Sequence, residues 1–294
     1  MYGDEPVKCP VLDCKIAVDV VFRSDDHILF GAHRPNLEMY SEILKEEGFD
    51  VGSQKAHLIY GDASTVRLLL EGMHKFRRVT SLADLPSDRF WALADAAERY
   101  SVYTVMAACS EHISLRPLRH PDDALKCLVF AVKYGYVGVA DSVASSTIHC
   151  DMSTVKKALR GYDSWFNLWV AYREKFIDLA SEITTIPSGN HAHLEYVGPH
   201  NEICTRFETY CNALRLSLPT TLKESLRMLG HARFDQFQRI FDAHTSVLSG
   251  CLSGECEEKR RAWNKRCVRK LERIGALHSA GDQSENDSST MEPW

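Results

Sequence analysis

The stretch Asp19-Val20-Val21-Phe22-Arg23-Ser24-Asp25-Asp26-His27-Ile28-Leu29-Phe30-Gly31-Ala32-His33-Arg34 decides the fold. Ile16, Val18, Val20 and Phe22 alternate with Ala17, Asp19, Val21 and Arg23, which is the period of a strand with one face buried. Ser24-Asp25-Asp26-His27 supplies turn-forming side chains before a second apolar run, so a hairpin is predicted. After it, Pro35 suits the first turn of a helix carrying Leu37, Tyr40 or Ser41, and Leu44, and Gly48 is placed to end that helix. The stretch contains no catalytic group and reads as an interaction signature.

Working outward, His57-Leu58-Ile59-Tyr60 reads as a third strand. Ser64 to His74 reads as a helix capped at Ser64 or Asp62, with apolar positions at Val66, Leu69, Leu70 and Met73. Phe90 to Val102 forms a helix that leads into a closing helix from about Tyr103 to Ile113. The order of elements, the wording D-V-V-F then I-L-F-G-A-H-R, and the Ser41-containing helix resemble the BTB (POZ) domain. The stretch Lys75 to Pro86 departs from that pattern, since it lacks the short strand expected there. The resemblance implies an α+β fold, a small sheet flanked by helices, that acts through protein contacts. It also matches His33 and Arg34 to the family's His-Arg pair and Asp19 to its early strand acid, which makes these three structural or interface residues. A buried Asp19 would need a cation or several donors beside it, because an unpaired buried charge is costly.

The second half has helical spacing throughout. His120 to Tyr136 resembles the helix that follows the BTB domain in proteins abundant in mushroom-forming fungi, with a second helix like Val139 to Ile148 after it. Helices are predicted next at Met152 to Leu159 and at Asp163 to Leu179, where Trp165, Leu168, Trp169, Tyr172, Phe176 and Leu179 recur at helical intervals. Thr184 to Pro199 is irregular, and helices resume from about Asn201 to Leu216 and Thr221 to Leu248. The expected organisation is an N-terminal extension over 1–14, a BTB/POZ domain over 15–115, an all-α, BACK-like helical domain over 116–275, and a disordered acidic tail over 276–294.

A chain of 294 residues makes about two domains of ordinary size. Its ten cysteines, with no signal peptide in Met1 to Lys8, read as reduced thiols, and the expected location is cytoplasm or nucleus. No run approaches the ~18 apolar residues of a membrane span, so no membrane partner is expected. No nucleophile elbow, phosphate-cradling loop, His-Glu-x-x-His or dinucleotide fingerprint is present, and no enzyme activity or cofactor is assigned. Trp91, Tyr100, Trp165, Phe166, Trp169, Tyr172 and Phe176 offer more aromatic surface than two small cores need; most are expected in the core, and Trp165, Phe166, Trp169 and Tyr172 are the candidates for partner binding.

Two groups have zinc-like chemistry. His191, His193, His200, Cys204 and Cys211 bunch around the irregular loop, but their spacing lets few ligands converge from one turn. His244, Cys251, Cys256 and Cys267 are better placed around a Gly-bounded turn. Solvent-facing histidines and core cysteines account for both sets more simply, so no metal site is assigned from the sequence. Lys259, Arg260, Arg261, Lys265, Arg266, Arg269 and Lys270 make a basic helix with Trp263, Cys267, Leu271 and Ile274 on one face, which predicts docking by that face. A net charge of -5 argues against nucleic acid as the main partner. The expected function is a non-enzymatic interaction module whose partners are itself, a cullin-type scaffold or other BTB proteins. Either it presents clients to a cullin-type ubiquitin ligase, or it self-associates in a nuclear or transcriptional assembly to which the basic helix contributes attraction.

Overall fold

The computed structural model describes residues 7–46, 55–74, 81–185, 191–192, 203–231, 234–250 and 254–280. The fold is α+β and mostly helical, with a small three-stranded sheet, and it divides into two compact units between Ile113 and Ser114.

In the first unit, β1 (Val20–Arg23) turns its Val20 and Phe22 into the core and pairs antiparallel with β2 (Leu29–Ala32), Val20 opposite Ala32 and Phe22 opposite Phe30. The turn between them closes because the Ser24 hydroxyl donates to Asp26 and accepts from the Ile28 amide, and because His27 takes a left-handed φ of 66°. β3 (His57–Leu58) runs parallel to β1 on its other side, giving the order β2-β1-β3. The alternation beginning at Ile16 does not continue as strand before Val20. Ile16 and Val18 are exposed, and further upstream the chain runs along the outer side of β2, where the Gly31 amide donates to the Lys8 carbonyl at 2.9 Å. A Cβ at Gly31 would lie 2.6 Å from Val18 and 3.1 Å from the Lys8 backbone, so this approach requires glycine. The extension expected over 1–14 is therefore packed from Lys8 onward, with Val11 buried.

The helices α1 (Arg34–Tyr40) and α2 (Glu42–Glu46) follow β2, and α3 (Ala63–Gly72) follows β3. Asp62 is the cap of α3 and accepts from the Thr65 amide at 2.8 Å, while Val66, Leu69, Leu70 and Met73 are buried as their spacing predicts. The closing helices are α4 (Ser87–Arg99), burying Phe90, Leu93, Ala94 and Ala97, and α5 (Tyr103–Arg119), burying Val105, Cys109 and Ile113. Ser41 stitches these pieces together: its buried hydroxyl donates to the Tyr100 carbonyl at 2.5 Å and accepts from the Leu44 amide at 3.0 Å. The Tyr100 hydroxyl in turn accepts from the Tyr60 amide at 2.7 Å. The segment expected to lack a strand, Lys75 to Pro86, lies outside the described residues over 75–80.

The second unit contains α6 (Ala124–Lys133), α7 (Val137–Ala144), α8 (Met152–Ala158), α9 (Asp163–Thr184), α10 (Arg206–Ser217), α11 (Leu222–His231), α12 (Phe234–Asp242) and α13 (Glu255–Arg273). Its apolar core is held in register by buried polar bonds: Trp169 Nε1 donates to Thr147 Oγ1 at 2.9 Å, the Tyr210 hydroxyl to the Phe241 carbonyl at 2.6 Å, and Trp263 Nε1 to the Glu182 carbonyl at 3.1 Å. The unit is not purely helical. β4 (His191–Ala192), in the stretch read as irregular, pairs antiparallel with β5 (Ile203–Cys204), which lies where the helix expected from Asn201 was to begin, with His191 opposite Cys204; that helix starts at Arg206. The tail also begins later than residue 276, because Leu277 and Ala280 are buried and Asp141 accepts from the His278 amide at 3.0 Å.

At the start of the second unit Arg116 Nε meets Asp123 Oδ2 at 2.8 Å, with both residues buried. Asp123→Ala leaves that guanidinium without its carboxylate and is expected to cost about 3 kcal/mol, whereas Arg116→Met with Asp123→Leu should recover most of the loss. Urea unfolding of the three variants checks this.

Candidate functional site

The segment ahead of β1 contains a group of side chains that sequence spacing did not single out. Between Cys9 and Cys14 the chain makes a tight turn, with the Cys14 amide donating to the Val11 carbonyl at 3.3 Å and Asp13 at a left-handed φ of 58°. This turn sets two thiols against His33, at the junction of β2 and α1, and His74, just past the end of α3. Cys9 Sγ lies 3.4 Å from His74 Nε2, and Cys14 Sγ lies 3.2 Å from His33 Nε2 and 3.7 Å from His74 Nε2. The four donor atoms all fall within 4.8 Å of one another; His33 is buried and the other three residues are half-buried. On the far side of each ring, His33 Nδ1 reaches the Ala17 carbonyl at 2.8 Å and His74 Nδ1 the Leu70 carbonyl at 3.0 Å. The rings themselves meet edge to face at 5.3 Å.

The three residues singled out by resemblance sit beside this group. Asp19 and Arg34 do not form a buried acid–base pair. The Asp19 carboxylate accepts from the Arg34 backbone amide at 2.8 Å and so caps α1 from a distance, while the Arg34 guanidinium turns outward to Glu38 at 2.7 Å. His33 is the member that is fully buried, and its ring faces the thiols.

The other candidates are placed differently from expectation. Trp169 and Tyr172 are core residues of α9, almost fully buried, and so offer no surface to a partner. Trp165 and Phe166 are half-buried. Of the second zinc-like set, Cys256 and Cys267 are both buried on α13, eleven residues and about 16 Å apart at the rise of an α-helix, so they cannot share an ion. His244 is exposed, and Cys251 lies outside the described residues. Of the first set, Cys211 is buried in the core, and His193 and His200 lie outside the described residues.

The basic helix α13 docks by Trp263, Cys267 and Ile274, as its stripe predicts. Much of its charge is matched locally. Arg260 meets Asp242 at 3.1 Å and Glu257 at 2.8 Å, Arg261 meets Glu257 at 3.0 Å, and Arg266 and Lys270 meet Glu182 at 3.2 and 2.9 Å. Lys265 and Arg269 are exposed. A cavity of about 300 Å³ lies beside this helix, lined by Ile183, Cys211, Leu218, Pro219 and Trp263 among others. Thr184, Arg215 and Thr220 complete its wall, so the cleft is mixed in character, and burial pushes the Cys211 thiol up to about 11.

In comparison with known proteins, no family model matches the chain, and no curated protein matches it.

Two expectations follow from the charges around α13. Hydrogen bonding to Lys270, then to Arg266, holds the Glu182 carboxyl below its ordinary value. A carboxyl lowered in the folded state adds stability above its unfolded pKa and loses it as pH falls through the folded one. Glu182→Gln should therefore lower the melting temperature at neutral pH, and the difference from wild type should shrink as the pH falls through the titration of the folded carboxyl. Burial, then the Glu182 charge, pushes the Cys267 thiol up to about 12. Alkylation of Cys267 at mildly alkaline pH should accordingly be at least about a hundredfold slower in the native protein than after unfolding, as followed by mass spectrometry.

Proposed function

We propose that the chain is a non-enzymatic protein-interaction module of the BTB kind, with a helical second unit that carries the client. The order hairpin, paired short helices, third strand, helix and closing helix pair supports this reading, as does the placement of β3 parallel to β1. The observation that carries it is exposed apolar surface on the first unit. Met39 on α1, Ile43 on α2, Leu58 on β3, Tyr60 beside it and Tyr103 at the start of α5 are all more than a third exposed. Their elements adjoin one another: the Tyr103 hydroxyl donates to Glu42 at 3.0 Å, Arg99 covers the Tyr60 ring at 5.4 Å, and Ser41 bridges to Val102. Isolated exposed apolar residues are ordinary, but a set on adjoining elements that includes two tyrosines has the composition of an interface core.

The use we attach to this surface is binding a cullin-type scaffold so that the helical unit presents a protein for ubiquitination. Adaptors of this kind usually carry an apolar-x-Glu signal in the loop after the third helix; Phe76 to Ser81, which lies outside the described residues over 76–80, has none, and this weakens the cullin reading. Self-association is the second reading, favoured by Met39 and Ile43, which give consecutive helices an apolar outer side of the kind a two-fold interface buries. The nuclear form of that reading relied on attraction from α13, and the carboxylates paired with Arg260, Arg261, Arg266 and Lys270 weaken it.

Leu58→Asp with Tyr60→Ala should leave the melting temperature nearly unchanged, since exposed sites usually shift stability by less than about 0.5 kcal/mol each. Affinity for a purified cullin-type scaffold should fall about thirtyfold, the effect of an anchor worth ~2 kcal/mol. Calorimetry showing equal affinity for variant and wild type would overturn the assignment of this surface. A dimer in sedimentation that Met39→Asp with Ile43→Asp dissolves, with no scaffold binding, would select the second reading.

A further inference from the structure

We infer that Cys9, Cys14, His33 and His74 form a tetrahedral zinc site that clips the segment ahead of β1 onto the sheet and the end of α3. The inference stands apart from the proposed binding function and does not depend on it.

The donor set is two sulfurs and two imidazole nitrogens, the combination that selects zinc among the common divalent ions. Its geometry suits the ion. Zn–S bonds of about 2.3 Å and Zn–N bonds of about 2.0–2.1 Å at tetrahedral angles put a sulfur and a nitrogen about 3.6 Å apart. Three of the four sulfur–nitrogen separations here are 3.2, 3.4 and 3.7 Å, and the fourth, Cys9 to His33, is within 4.8 Å. A carbonyl oxygen can only accept, so the contacts from His33 Nδ1 to Ala17 and from His74 Nδ1 to Leu70 fix the proton of each neutral ring on Nδ1. Both Nε2 lone pairs then point at the thiols, and this outer-shell support is what metal-bound histidines ordinarily have. The Val11 amide lies 3.4 Å from Cys9 Sγ, where it can donate to a thiolate.

Charge points the same way. Two thiolates and two neutral imidazoles around Zn²⁺ sum to zero, so a half-buried site carries no net charge out of water. Loading releases the two thiol protons to solvent and forms four metal–ligand bonds, with no change of oxidation state. The site joins parts of the chain far apart in sequence, and it anchors a segment that otherwise buries little beyond Val11 and leaves Leu12, Ile16 and Val18 exposed.

The full chain, purified under reducing conditions and loaded with zinc, is expected to keep one zinc per chain against a competing chelator of micromolar affinity. X-ray absorption at the zinc edge should show two sulfur and two nitrogen neighbours, and cobalt(II) in its place should give tetrahedral bands with thiolate charge transfer. These readouts use the wild-type chain and do not depend on a variant folding. Cys9→Ser and His74→Gln should each weaken zinc binding by more than about a hundredfold, beyond the loss expected from an outer-shell partner. Removing the metal should speed proteolytic cleavage within residues 7–18. A folded chain that keeps no zinc would show that thiol–imidazole hydrogen bonds alone hold the group and would overturn the inference. So would a different set of neighbours, or zinc affinity unchanged in Cys9→Ser and lost in Cys251→Ser.

Discussion

The buried imidazole of His33 is the contact on which the N-terminal part of the first unit depends. It stands where β2 becomes α1, and its two nitrogens face opposite ways, Nδ1 to the Ala17 carbonyl and Nε2 to the Cys14 sulfur. The next residue's amide is taken by Asp19, so the same corner fixes the start of α1, the approach to β1 and the Cys9–Cys14 turn. A buried histidine with both nitrogens engaged is specific in a way that an apolar side chain is not, because each bond demands a direction as well as a distance. Gly31 adds a steric condition two residues earlier, in β2, since only a residue without Cβ lets the backbone at Lys8 lie against this strand.

A second knot closes the other side of that unit. Ser41 and Tyr100 tie the α1–α2 corner, the approach to α3 and the junction of α4 and α5 through three hydrogen bonds of 2.5 to 3.0 Å. Three strands of two to four residues cannot bury enough surface to be stable by themselves, so the helices and these knots supply what the sheet lacks. The surface proposed for binding lies around the same junction, and an anchor such as Tyr60 is therefore presented from a rigid base.

In the second unit, tryptophan does what serine and histidine do in the first. Trp169 and Trp263 each bury a large ring and place one N–H on a specific acceptor, which fixes how α9 and α13 pack. The Glu182 carbonyl receives Trp263 while its carboxylate receives Arg266 and Lys270, so the basic face of α13 is oriented by the helix on which it rests. That arrangement turns a charge pattern with the look of a binding helix into part of the fold.

Period and composition by themselves determined the hairpin at Val20 to Ala32, the cap and apolar face of α3, the apolar face of α13, and the helical character of the second half. These follow from neighbours within a turn or a strand, and such neighbours are close in sequence. Tertiary structure decided the rest. That Trp169 is core, that Ile16 lies outside the sheet, and that Arg260 and Arg266 have carboxylate partners depend on which faces meet, and one sequence leaves that open. The Cys9, Cys14, His33 and His74 group is the clearest case. Its visible trace in sequence is a Cys-x₄-Cys spacing, because the two histidines arrive from the ends of β2 and α3. Chain folding over more than sixty residues, and no local rule, makes them neighbours of the thiols.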